Sequence, residues 1–219
     1  MTFKEKIEQF EAGNADAFGG QTSAFNSIYI DDQGFAELVE MLNHDREYFR
    51  FWALTLLIKN AASRLVENHE SLKAKLFHLL FDEYIPCSDR AQWAMNILGL
   101  PGLEFMMQKY RKRDAPNLPA LLTVIARHTE APKKSTEILR FLTSALQHPD
   151  RDMRFAAVIG LMDASPLRAE HLGSTPLDTD YALIYSQVLP VAIELQQEGA
   201  HYEEWGARYA EMINSHNMA

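Results

Sequence analysis

Four kinds of side chain could do chemistry in this chain of 219 residues: scattered histidines, one cysteine, a few carboxylates and two groups of arginines. His69-Glu70 stands as a single exposed pair. His78, His128, His171 and His201 show neither the i, i+4 nor the Cys-His spacing of a metal site, so no metal and no other cofactor is expected. Cys87 lies in Pro86-Cys87-Ser88, a turn that could expose it, with no neighbouring pattern to stabilise a thiolate, and is read as a spectator. A single cysteine forms no internal disulfide and suits a reducing compartment, so a cytoplasmic protein is expected.

The cationic residues are more informative. Lys109, Arg111, Lys112 and Arg113 form the strongest basic cluster and enclose Tyr110, a composition suited to contact with a phosphate or a partner. The same cations in the last turn of a helix would complement the negative end of its dipole. Arg50 and Arg154 recur at matching places in two copies of one sequence unit, which favours a structural role: a guanidinium beside a turn can bond loop carbonyls or acidic groups such as Asp45 or Asp150. The functional alternative is that they line an inner surface and contact a partner. Trp52 and Trp93, which also match each other, lie among apolar residues (Phe51 and Ala53; Ala91, Ala94 and Met95) and are assigned to the core.

Charge narrows the partners. The chain carries 21 Lys and Arg against 30 Asp and Glu, a formal −9, so nucleic acid is not expected as a general ligand. Residues 1–107 hold 9 basic and 16 acidic side chains, 108–134 hold 7 and 2, and 165–219 hold 2 and 8. Arg127, Lys133 and Lys134 are separated from the 109–113 cluster by about 15 Å of helix, which speaks against a continuous phosphate-binding stripe. The summed negative field would steer in a protein partner with a basic face. No run of 18 apolar residues exists, and the N-terminus alternates charges where a signal peptide needs an apolar core, so no membrane association is expected.

The elements that must position these residues follow from a self-match. Leu42, His44, Arg50, Phe51, Ala53 and Leu57 align with Leu146, His148, Arg154, Phe155, Ala157 and Leu161 at a constant offset of 104 residues, the mark of a repeat architecture. A first helix is expected over Phe3 to Glu11, then a loop over Gly13 to Gly20 and a short element at Ser23 to Ile30. Asp31 and Asp32 are N-cap candidates for a helix through Leu42, partnered by the almost wholly apolar Phe49 to Ile58. Leu72 to Leu80 pairs with Ala91 to Leu100, the segment Ile85 to Ser88 separating them and Gly99-Leu100-Pro101-Gly102 ending the second helix. Leu103 to Tyr110 pairs with Leu118 to His128, and Ile138 to Leu146 with Met153 to Ala164. Residues 165 to 178 interrupt the pattern; Asp180 then caps a helix containing Pro190, and a polar helix over His201 to Asn214 closes the chain.

The stretch His-Pro-Asp-Arg-Asp-Met-Arg-Phe-Ala-Ala-Val-Ile-Gly-Leu over 148–161 resembles the turn and second helix of a HEAT repeat, and 44–57 resembles it with Asp45 in place of the proline. The resemblance implies an all-α, α-α superhelix: a right-handed solenoid of four to five antiparallel helix pairs. Its domains would be an N-terminal helix and loop (1–30), helical repeats (31–164) and a capping helix pair (165–219). It also implies a non-enzymatic protein that binds a partner protein as scaffold or adaptor, and the acidic charge would suit an immunity-type inhibitor of a basic protein. Among HEAT-like enzymes, the deoxyhypusine hydroxylases need several His-Glu pairs where this chain has one. An alkylpurine DNA glycosylase, the alternative reading, would place an aspartate and tryptophans in a groove, and Asp89 and Trp93 share a helix.

Phe51 and Phe155 are placed at equivalent buried inter-helix positions, where truncation to alanine would cost about 3 to 5 kcal/mol. Ala157, one turn into the matched helix, marks a close contact. Ala157→Leu is expected to destabilise the fold by about 1 to 3 kcal/mol through overpacking, measurable in urea melts.

Overall fold

Capping residues fix where the helices begin. Thr2 accepts from Glu5 N–H while Glu5 bonds Thr2 N–H, and this reciprocal box opens α1 (Phe3–Glu11). Asp31 accepts from Gly34 N–H at 2.7 Å and opens α2 (Asp32–Met41). There follow α3 (Glu47–Asn60), α4 (Ala62–Glu67), α5 (His69–Leu79), α6 (Ile85–Ile97), α7 (Leu100–Arg111), α8 (Leu118–Arg127), α9 (Ser135–Leu146), α10 (Arg151–Asp163), α11 (Pro166–Ala169), α12 (Tyr181–Leu195) and α13 (Ala200–Asn217). The computed structural model describes residues 1–18, 28–169, 172 and 175–217, and among these every regular element is helical. The chain is therefore all-α, and it divides into two compact units, Met1–Phe105 and Met106–Ala219.

In the first unit α3 is the hub. It packs against α1, α2, α4 and α6, and α6 in turn carries α5. Ala53, Leu54, Leu56 and Leu57 are fully enclosed, which explains why α3 is apolar on nearly every side. Glu37 of α2 accepts the N–H groups of Phe3 and Lys4, so a carboxylate at the positive end of α1 fixes that helix in place. In the second unit α10 has the same position, packed against α8, α9 and α12, with α13 on α12. A β-carbon at Gly160 would lie 2.6 Å from Leu142 Cδ2 and 3.2 Å from Ala126 Cβ, so glycine permits the close approach of α10 to α8 and α9.

Arg50 and Arg154 are each the fourth residue of their hub helix, and they make the same bonds. Arg50 Nη1 donates backwards to the carbonyls of His44 (2.7 Å) and Asp45 (2.9 Å). Its Nε and Nη2 reach forwards to both oxygens of Asp82, at 2.6 and 2.9 Å, in the turn between α5 and α6. Arg154 Nη1 donates to the carbonyls of His148 (3.0 Å) and Pro149 (2.9 Å), and Nη2 to Glu198 at 2.6 Å in the turn before α13. The loop carbonyls are as expected from the sequence. The acidic partners are Asp82 and Glu198 instead of Asp45 and Asp150, because Nη1 is taken by the backbone carbonyls of its own turn and the other nitrogens face the turn further on.

Several local expectations change. Phe51 and Phe155 are half-buried, not enclosed: each lies edge-on to a tyrosine at the start of a later helix, Tyr84 just before α6 at 6.1 Å and Tyr202 in the first turn of α13 at 5.1 Å between ring centroids. Ile85 to Ser88 begins α6 with Pro86 in its first turn, and Leu100-Pro101-Gly102 begins α7 instead of ending α6, since proline suits the first turn of a helix. The expected element at Ser23 to Ile30 lies outside the described residues except at 28–30, which are irregular, and of the Gly13 to Gly20 loop Ala15–Phe18 forms a 3-10 turn.

Burial by itself would raise the carboxyl pKa of Asp82, whose side chain is only 4% exposed, but the hydrogen bonds from Arg50 and from Tyr84 N–H outweigh it and hold the group below its usual value. A depressed folded pKa gives stability that is present above the unfolded value and lost as pH falls through the folded one. Asp82→Asn is expected to cost about 1 to 3 kcal/mol at neutral pH. It should also flatten the dependence of urea-unfolding free energy on pH between about 5 and 2.

Candidate functional site

A groove of about 680 Å³ lies in the second unit, and two of the sequence-predicted cations line it. The end of α7 builds one wall. Arg113 N–H donates to Tyr110 O at 3.0 Å and Asp114 N–H to Lys109 O at 2.9 Å, a paired closure of the helix that requires a left-handed residue between them. That residue is Arg113, at φ +53°. Glycine is the usual occupant of such a position, because a β-carbon there crowds the backbone.

The opposite wall comes from α9. Tyr110 and Phe141 meet with ring centroids 5.0 Å apart, and the Arg111 guanidinium lies 5.9 Å over the Phe141 ring while paired to Glu137 through Nε at 2.8 Å. Burial pushes the Tyr110 phenol pKa up, and the nearby Arg113 charge pulls it the other way. Arg140 also lines the groove, and the guanidinium groups of Arg113 and Arg140 make no hydrogen bond or ion pair with the described residues. The carboxylates here are engaged. Asp150 accepts from Asp152 N–H, and Asp152 accepts from Tyr202 OH. A second hollow of about 440 Å³, lined by Ala120, Phe155, Ile159 and Tyr202, shares Asn117, Pro119 and Asp152 with the first, so the two form one elongated depression.

The other predicted residues lie apart from this groove. Lys109 is paired with Asp114 at 2.5 Å and Lys112 is exposed, and neither is a lining residue. Arg50 and Arg154 are the turn-to-turn clamps. Arg127, counted among the loose basic residues, is bound by the wholly buried Asp163, which Arg168 also approaches to 2.9 Å without hydrogen-bond alignment. Pairing with Asp163 takes Arg127 out of any phosphate-binding stripe. His44, His128 and His148 each accept a turn N–H on Nδ1 at 3.1 Å, which assigns their rings to loop structure. His171 lies outside the described residues.

Trp93 corrects the core assignment: it is 55% exposed, while Trp52 is half-buried with its Nε1 donating to Glu11. On α6 the stripe Cys87, Ala91, Ala94 and Met95 faces inward, and Ile85, Asp89 and Trp93, spaced i, i+4, i+8, face solvent, with Ile85 71% exposed. Arg90 lies under this face, 4.7 Å from the Trp93 ring and 5.6 Å from Phe51. An aspartate four residues before the tryptophan is the sequence signal for an exposed stripe, outweighed by Ala91, Ala94 and Met95 around Trp93. Cys87, expected in an exposed turn, is fully buried in the first turn of α6, and burial together with Asp82 pushes its thiol pKa up to about 12.

No protein-family model matches the sequence and no curated protein is significantly similar to it. Among solved structures the chain is similar to an engineered protein whose crystal structure was determined by the Northeast Structural Genomics Consortium, at 15% identity and a TM-score of 0.42 over 97% of this chain and 96% of that one. A likeness that loose carries no weight for fold or function. No helix of the described residues is long and apolar enough to cross a membrane.

Arg113 holds a left-handed backbone at a cost of about 1 kcal/mol relative to glycine. Arg113→Gly is therefore expected to raise stability in urea melts by about that amount, and Arg113→Ala to leave it nearly unchanged.

Proposed function

We propose that this is a non-enzymatic, HEAT-like right-handed helical solenoid that binds a partner protein. The observation that carries the reading is the exposed face of α6, where Ile85, Asp89 and Trp93 stand in line toward solvent, with the Arg90 guanidinium against the Trp93 ring. A large exposed aromatic beside an aliphatic residue is the composition of an interface anchor. Asp89 between them would receive a cationic side chain. The first unit carries 9 basic and 16 acidic side chains, so the partner that fits presents a basic face with apolar groups beside it. The repetition of one arginine clamp in two hairpins 104 residues apart supports the solenoid, since equivalent bonds at equivalent positions are what tandem units produce. Scaffold, adaptor and immunity-type inhibitor all use such a surface.

The same pair of exposed residues is what a HEAT-like glycosylase would need, which keeps alkylated DNA as the second reading. Two measurements separate them. For a protein-binding face, Trp93→Ala and Asp89→Arg should each weaken capture of the partner from cell extract about tenfold or more. The association rate with the purified partner should fall steeply between about 50 and 500 mM salt. Base release from alkylated DNA, lost in Asp89→Asn, would instead establish the enzyme and overturn the binding reading.

A further inference from the structure

We propose that the elongated depression in the second unit is a second binding site, and that its occupant is an acidic segment of another protein, with carboxylates flanking an apolar residue. The site lies on other elements than the α6 face and takes the opposite charge.

Three observations converge on it. The first is an imbalance of pairing. Glu137 is ion-paired with Arg111 and Asp152 lies 4.0 Å from Arg151, which leaves the guanidinium groups of Arg113 and Arg140, without a hydrogen bond or ion pair to the described residues, against the single carboxylate of Asp150. The uncompensated local charge is positive in a chain whose total is −9. Free guanidinium forks bind carboxylates with two parallel hydrogen bonds.

The second is the backbone of Arg113. A helix closure that glycine would make without strain is made by arginine at φ +53°, and the result is that a cation is projected where the groove begins. Strain kept at one residue whose side chain has no structural bond is explained by a ligand for that side chain.

The third is shape. The cationic end is floored by the Tyr110 and Phe141 rings and runs into a hollow lined by Ala120, Phe155 and Ile159. A compact small molecule would be enclosed on most sides by its pocket, but an open depression with one charged and one apolar end matches an extended peptide. Asp150 and Asp152 on the groove wall disfavour a phosphate chain, which carries negative charge at every nucleotide, more than a segment with spaced carboxylates.

The test is selection of short random peptides displayed on phage against the full chain, with counter-selection on the double variant Arg113→Gly/Arg140→Ala. The first substitution relieves strain and the second removes an exposed, unbonded side chain, so the variant folds, as thermal melting verifies directly. Enrichment of peptides with Asp or Glu around an aromatic or aliphatic residue is expected. A synthesised, fluorescein-labelled member should bind the wild type and lose about tenfold or more in affinity to the double variant by anisotropy, with no change in Trp93→Ala. Enrichment of basic peptides, equal binding to the variant, or no enrichment would overturn the proposal while leaving partner binding through α6 untouched. Labelled oligothymidylate binding with the same arginine dependence would overturn it in favour of nucleic acid.

Discussion

The fold depends on what becomes of two guanidinium charges. Arg50 and Arg154 are 18% and 14% exposed, too buried to remain solvated, and a buried charge without partners is strongly unfavourable. Each is satisfied only when three pieces of chain are in place together: the helix that carries it, the turn behind, which offers two carbonyls, and a turn further on, which offers a carboxylate. The clamp thus links consecutive parts of each unit by the same hydrogen bonds that remove its own penalty. Phe51 against Tyr84 and Phe155 against Tyr202 extend the contact with an apolar edge. The two clamps are not equally complete. Arg50 grips Asp82 with both arms of the fork, while Arg154 leaves Nε buried and unbonded and meets Glu198 through one nitrogen.

Around the clamps, packing is set by side-chain size. The hub helices carry alanine at Ala53 and Ala157, both fully buried, and α10 adds Gly160, where even a β-carbon would collide with Leu142. Small residues let neighbouring helices approach until leucines interdigitate, and the loss of dispersion contacts on widening such a gap is what makes the arrangement specific. The hubs' inward residues are then unavailable for binding. Whatever recognises a partner must come from helix ends, turns and outward stripes.

The charged surface fits that division. Arginines with structural work are matched by carboxylates at short range: Arg50 with Asp82, Arg154 with Glu198, Arg127 with Asp163, Arg111 with Glu137. Arg113 and Arg140 stand outside the scheme, on a groove wall, as do Asp89 and its two apolar neighbours on α6. Groups that nothing in the fold requires, yet which the fold holds at fixed positions, are where binding is most economically sought.

The sequence alone determined the helical class, the order of the major helices and the equivalence of the two segments that became the hubs, because helical periodicity, capping residues and a repeated apolar segment are local signals. It also marked Arg50 and Arg154 as equivalent, since equivalence needs only an alignment. What it could not determine was the partner of each group. Asp82 and Glu198 lie 32 and 44 residues from the arginines they bind, and no local rule connects them. Trp93 reads as core from its neighbours in sequence, and becomes surface because α6 turns its alanine stripe, not its tryptophan, to α3 and α5. Of the basic cluster, Arg111 and Arg113 reach the groove while Lys109 is held by Asp114, a distinction made by the left-handed closure of α7 and by the placement of α9 opposite it. Tertiary structure decided which charges are spent on the fold and which remain for a ligand, because pairing is a property of distance in space and the sequence records only distance along the chain.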